Sequence, residues 1–138
     1  MKKAFLIIAL VSSTFTMGCF TNELEQTEQE TKNINKKVTV SEFSKLIDSE
    51  KGQILDVRTP EEWAEGTIKN AIKMNFFGEN FDQEISTLDK TRPIYLYCKS
   101  GGRSGKAASR LEKMGFTAVY NLDGGITAWR NAEKATEK

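Results

Sequence analysis

The run Ile94-Tyr95-Leu96-Tyr97 constrains the fold more than any other feature of this chain. Four apolar or aromatic residues without polar alternation read as a strand buried on both faces, the situation found where helices cover both sides of a parallel sheet. Directly after it come Cys98-Lys99-Ser100-Gly101-Gly102-Arg103-Ser104-Gly105 and then a helical period, Ala107, Leu111 and Met114, ended by Gly115. Other short apolar or β-branched runs, at 38–40, 53–57, 71–74 and 117–121, alternate with helical patterns. Phe43, Leu46 and Ile47 share one face of a helix from about Glu42, and Phe81, Ile85 and Leu88 share another. Thr59-Pro60-Glu61-Glu62 reads as an N-cap, a first-turn proline and a capping box, opening a short helix that carries Trp63 and stops at Gly66. The expected fold class is α/β, a mostly parallel central sheet of about five short strands flanked by helices. Lys106, Arg110 and Lys113 line the outer side of the third helix as a solvated face. Trp63 and Trp129 read as core aromatics.

The N-terminus has a different character. Lys2 and Lys3 precede an apolar run, Ala4 to Val11, and a small and polar stretch, Ser12 to Gly18, leads to Cys19. That is the layout of a secretory signal peptide, and it falls short of the roughly 20 apolar residues that a membrane span requires. Thr16-Met17-Gly18-Cys19 resembles a bacterial lipobox with Thr16 where Leu is usual, which implies acylation of Cys19 and attachment to the lipid bilayer. Ordinary cleavage, leaving Cys19 as a free thiol, is the alternative. From Phe20 to Lys37 only Phe20, Leu24 and Ile34 are apolar, too little to offset the entropy of ordering the segment. The expected organisation is therefore a lipoprotein-type signal peptide at 1–18, a flexible tether at 19–37, one folded domain at 38–133 and a C-terminal tail at 134–138. The expected location is a bacterial membrane, facing the periplasm or the cell exterior.

Composition removes whole mechanisms. The 138 residues include no histidine, so no Ser-His or Cys-His nucleophile pair, imidazole base or His-ligated metal is available. A formal net charge of +1 with interleaved signs gives little reason to expect a nucleic-acid partner. Two cysteines cannot build a disulfide framework. The residues suggest neither metal nor cofactor.

What remains is the loop at the carboxyl end of the 94–97 strand. Ligands of open α/β sheets bind at that edge, and a loop leading into a helix N-terminus turns successive backbone N–H groups inward as a nest for an anion. Cys98 sits at its floor. The nest, the helix dipole, Lys99 and Arg103 all favour thiolate over thiol, making Cys98 a nucleophile that works without a histidine base. Gly101 and Gly102 permit unusual backbone angles, and Ser104 can cap the helix.

Cys98 to Ser104 resembles the active-site loop of single-domain rhodaneses, sulfurtransferases that carry sulfur as a cysteine persulfide. Asp56-Val57-Arg58 with Glu61-Glu62-Trp63-Ala64-Glu65-Gly66 resembles the family's first signature, and Leu122-Asp123-Gly124-Gly125-Ile126-Thr127-Ala128-Trp129 its C-terminal one. The resemblance implies the rhodanese-like fold and thiosulfate sulfurtransferase chemistry. In that chemistry Cys98 takes sulfane sulfur from a small anionic donor such as thiosulfate and passes it to an external thiol, cyanide or a protein acceptor. Lys99 and Arg103 would orient the donor, and the amides of Ser100, Gly101, Gly102, Arg103 and Ser104 would hold the persulfide. Asp56 and Arg58 are assigned to support of the site, Arg58 pairing an acidic group of the Glu61/Glu62 helix. Thr67 stands where the family usually has His, and Asn70 where it usually has Gly. Two other readings stay open: a non-catalytic, membrane-anchored binding or sensing module, and a cysteine-dependent phosphatase or arsenate reductase. Against the latter, Arg103 follows Cys98 by five positions rather than six.

Overall fold

The computed structural model describes residues 34–49 and 51–138. The expected signal peptide, Cys19 and the expected tether up to residue 33 lie outside the described residues. Ten elements follow one another as β1(Ile34–Val38), α1(Val40–Asp48), β2(Gln53–Asp56), α2(Pro60–Ala64), β3(Ile72–Lys73), α3(Phe81–Ser86), β4(Ile94–Tyr97), α4(Gly102–Lys113), β5(Ala118–Leu122) and α5(Gly125–Asn131). The five strands form one parallel sheet in the order β1-β5-β4-β2-β3. This is the α/β architecture expected, with β4 at its centre.

Strand β4 is buried along its whole length, and its alternation builds both cores. Ile94, Leu96 and Cys98 pack with residues of α3 and α4, among them Phe81, Ile85, Ala107, Ala108 and Leu111. Tyr95 and Tyr97 pack on the other face with Phe43 of α1 and Ile126 and Trp129 of α5. The apolar face read from Ala107, Leu111 and Met114 is the one α4 turns inward, Met114 packing at its margin. Lys106, Arg110 and Lys113 are exposed, Arg110 lying 3.1 Å from Asp82.

Strands β2, β3 and β5 shift by one residue at one or both ends from the expected ranges, and three larger departures each have a local reason. Thr39 caps α1: the Glu42 amide donates to its hydroxyl (3.3 Å) and the Thr39 amide donates to the Glu42 carboxylate (3.0 Å). This capping box draws Val40 into the helix, so the strand ends at Val38. The strand also begins earlier, at Ile34, inside the stretch read as tether. Ile34 to Lys37 are exposed, and the backbone ladder to β5 holds them, which hydropathy does not register. At the other end, residues 134–138 fold back instead of trailing. Thr67 and Glu137 exchange backbone hydrogen bonds (2.7 and 2.8 Å), Asn70 N–H donates to the Glu137 carboxylate (3.3 Å), and the Trp129 indole N–H donates to the Ala135 carbonyl (2.9 Å). Trp129 is the core aromatic expected. Trp63 is only half-buried, and its indole N–H is enclosed without a protein partner.

Candidate active site

Cys98 follows the last residue of β4 and is 1% exposed. Its Sγ accepts a hydrogen bond from the Gly101 amide (3.1 Å) and one from the Ser104 hydroxyl (3.4 Å). Burial opposes ionisation of the thiol. The Ser104 hydroxyl and the amides of Ser104, Ser100 and Gly101 outweigh it and hold the thiol below its ordinary range. Donors aimed at one sulfur, at the start of a helix, form a cradle for an anionic sulfur species.

Each loop residue has a distinct place. Gly101 adopts φ +103°, the left-handed conformation that lets the chain turn from strand into helix. Gly102 needs no such freedom: its φ is not positive, and a side chain there would meet nothing within 4 Å. Ser104 lies inside the first turn of α4 and Gly101 takes the cap position, so the serine hydroxyl serves Cys98 rather than the helix. Lys99 and Ser100 are exposed, and Lys99 has no ion pair among the described residues.

Arg103 is engaged differently from the sequence expectation. Both of its terminal nitrogens bind the Glu62 carboxylate, Nη1 to Oε2 at 2.6 Å and Nη2 to Oε1 at 2.8 Å. The Arg103 guanidinium holds Glu62 down at about 2, so the pair stays charged through the neutral range. Glu62 in turn accepts the Thr59 amide (3.1 Å), tying the loop to the start of α2. Sequence reasoning missed Glu62 as a site residue. The Thr59-to-Glu62 capping box could have located its carboxylate at that helix start, but only the packing of α2 beside the loop brings Arg103 to it.

Arg58 also requires a correction. Its acidic partner is Asp56, not a carboxylate of the Glu61/Glu62 helix. Nε lies 2.9 and 3.0 Å from the two Asp56 oxygens and Nη2 2.7 Å from Oδ2, with both residues fully buried. Residues two apart at an extended strand end point the same way, so the nearer carboxylate takes the guanidinium. The helix contributes its backbone instead: Nη1 donates to the Glu62 carbonyl (3.0 Å) and Nη2 to the Gly66 carbonyl (2.8 Å). The Tyr97 ring lies 5.7 Å from this guanidinium, and its hydroxyl accepts the Ile68 amide (2.9 Å). Burial, reinforced by the Asp56 charge, raises the Tyr97 phenol far above its ordinary value.

Behind the loop stands α5. The amides of Ile126 and Thr127 donate to the carbonyls of Cys98 (2.9 Å) and Lys99 (3.1 Å), and the Thr127 hydroxyl donates to the same Lys99 carbonyl (2.9 Å). With those carbonyls held by α5, the amides of Ser100 and Gly101 further along the loop are the ones that reach the sulfur. Gly125 makes this approach possible: φ is +59°, and a Cβ there would collide with the Cys98 carbonyl and lie 2.6 Å from that of Lys99.

The chain is 40% identical over 85 residues to the uncharacterized protein YqhL of Bacillus subtilis, covering 62% of this chain and 66% of that one. It is 34% identical over 97 residues to the thiosulfate sulfurtransferase GlpE of Shewanella oneidensis, covering 70% and 94%. Among solved structures, a rhodanese-like domain protein from Staphylococcus aureus superposes with a TM-score of 0.61 at 35% identity, covering 69% of this chain and 91% of that one. The profile of the rhodanese-like domain matches residues 39–132, from the cap of α1 to the end of α5, and the chain belongs to that family.

Proposed function

We propose that the chain is a sulfurtransferase of the thiosulfate type working through a persulfide on Cys98. The Cys98 thiolate attacks the outer sulfur of the donor. The Sγ–S bond forms, the donor's S–S bond breaks, and sulfite leaves with the electron pair. An external thiolate, cyanide or protein acceptor then takes the outer sulfur and releases Cys98 as thiolate. The observation that carries this reading is the sulfur-centred cradle: Gly101 N–H and the Ser104 hydroxyl on Sγ, with Ser100 and Ser104 amides beside them. A persulfide places negative charge one atom beyond Sγ, where such donors stabilise it. Glu62 neutralises much of Arg103, which leaves Lys99 as the cation that attracts a donor. The relative named thiosulfate sulfurtransferase adds support.

The same proposal takes Lys2 and Lys3, the apolar run after them and Cys19 as the signal and acylation site of an exported, lipid-anchored protein. Such an anchor would leave Cys98 as the mature chain's free thiol, so the acceptor must be external.

The test is intact mass of the purified chain before and after thiosulfate, beside Cys98→Ser and Cys19→Ser variants. A gain of one sulfur atom is expected wherever Cys98 is present. Absence of the gain with thiosulfate and with other sulfane donors would overturn the sulfurtransferase reading in favour of anion binding or phosphate-ester chemistry. The same spectra read a diacylglyceryl adduct, expected on the membrane-extracted chain and lost in Cys19→Ser.

A further inference from the structure

Phe77 is the most exposed large apolar side chain among the described residues, at 67%. It is nevertheless held in place. Its amide donates to the Asn75 side chain (3.0 Å), and the Gly78 amide closes the turn on the Asn75 carbonyl (2.8 Å). Its ring stands edge-to-face on Phe76 (5.5 Å between centroids), which stands likewise on Phe81 (5.4 Å), a core residue of α3. The Arg103 guanidinium lies over this ring, 5.7 Å from its centroid, and leaves two thirds of the side chain exposed. Arg103 adjoins Ser104, whose hydroxyl is on the Cys98 sulfur. The rim of the cradle therefore offers a pre-ordered aromatic face beside a planar cation whose charge Glu62 offsets. Lys99 is the cation there with no ion pair among the described residues.

An inorganic dianion makes no use of such an apolar face. A singly charged sulfur donor with a flat apolar substituent does, because its charge suits Lys99 and the amides while its substituent covers Phe77. We propose that Phe77 is a specificity-determining residue that favours organic thiosulfonates, above all aromatic ones, over inorganic thiosulfate. This rests on the sulfurtransferase reading. The Cys98 thiolate would attack the terminal sulfur of the thiosulfonate, forming the Sγ–S bond as the bond to the sulfonyl sulfur breaks, and a sulfinate would leave with the electron pair. The product on the protein is the same persulfide anion, and no oxidant or reductant is consumed.

The experiment compares kcat/KM for benzenethiosulfonate, methanethiosulfonate and thiosulfate in the full chain and in its Phe77→Ala and Phe77→Leu variants. The ratio of benzenethiosulfonate to thiosulfate is expected to fall by roughly three- to ten-fold in Phe77→Ala, the range of one aromatic contact, with the change in KM and Phe77→Leu intermediate. An unchanged ratio would overturn the proposal. Calorimetric binding of benzenesulfonate against sulfate keeps it testable if no persulfide forms at all. A benzenesulfonate preference that Phe77→Ala abolishes would retain recognition at the rim while the transfer reading fails. Equal binding of the two ions, or a preference that the variant keeps, would overturn it.

Discussion

The Arg58 guanidinium is committed wholly to the interior, to the Asp56 carboxylate and to the carbonyls of Glu62 and Gly66. Removing it would leave a fully buried carboxylate without its countercharge and take the shorter of two hydrogen bonds from each turn carbonyl, whose remaining donors are the Glu65 amide (3.3 Å) and the Arg130 guanidinium (3.3 Å). Arg58→Ala is therefore expected to cost about 3–5 kcal/mol of unfolding free energy, read by denaturant titration, while the folded fraction still forms persulfide. A loss below about 1 kcal/mol, the size of one ordinary hydrogen bond, would contradict the structural role. At this scale the grouping of Cys98, Gly101 and Ser104 in one loop was legible in the sequence because their contacts are made within a few positions of chain, although the Ser104 hydroxyl, expected as a helix cap, is spent on Cys98 instead. The partners of Arg58 and Arg103 were misassigned or missed. Carboxylates at 56, 61 and 62 compete for two guanidinium groups, and only the packing of α2 against the loop decides which meets which.

Among the elements, β4 and α4 were the most legible. A strand apolar on both faces and a helix with one apolar stripe leave few alternatives, and the observed strand matches residues 94–97. Strand β1 was hidden because its residues are polar and exposed, and what holds it is the ladder to a strand more than 80 positions away. Helix α5 matters to the site out of proportion to its seven residues, since its first turn holds the carbonyls of Cys98 and Lys99. Gly125→Ala would place a methyl group against both carbonyls at a positive φ, displacing either the loop or the helix. Persulfide formation is expected to fall on the order of 100-fold, the cost of misplacing reacting groups by about an ångström, measured as single-turnover rate beside thermal unfolding. A rate within two-fold of the parent would show that the loop does not depend on this contact.

On the scale of the whole molecule, the C-terminal segment closes the structure. Residues beyond the family match at 39–132 bridge Thr67 and cap the Trp129 indole, joining α5 to the turn that also receives Arg58. Deleting residues 134–138 removes those hydrogen bonds and uncovers Trp129. A loss of about 2–4 kcal/mol is expected, from several bonds at about 1 kcal/mol each, seen as a lower denaturation midpoint and as altered tryptophan fluorescence. An unchanged midpoint would mean that the segment is dispensable. From the chain alone, the βα alternation, the parallel sheet and the nucleophile loop could be derived, because periodicity and a strand-loop-helix junction are properties of contiguous residues. Tertiary structure alone decided the Glu62–Arg103 and Asp56–Arg58 pairings, the α5 buttress, the edge strand β1 and the return of the C-terminus. Each of these joins groups that compete on equal terms in sequence, and each is settled by which surfaces the folded sheet and helices bring within hydrogen-bond reach.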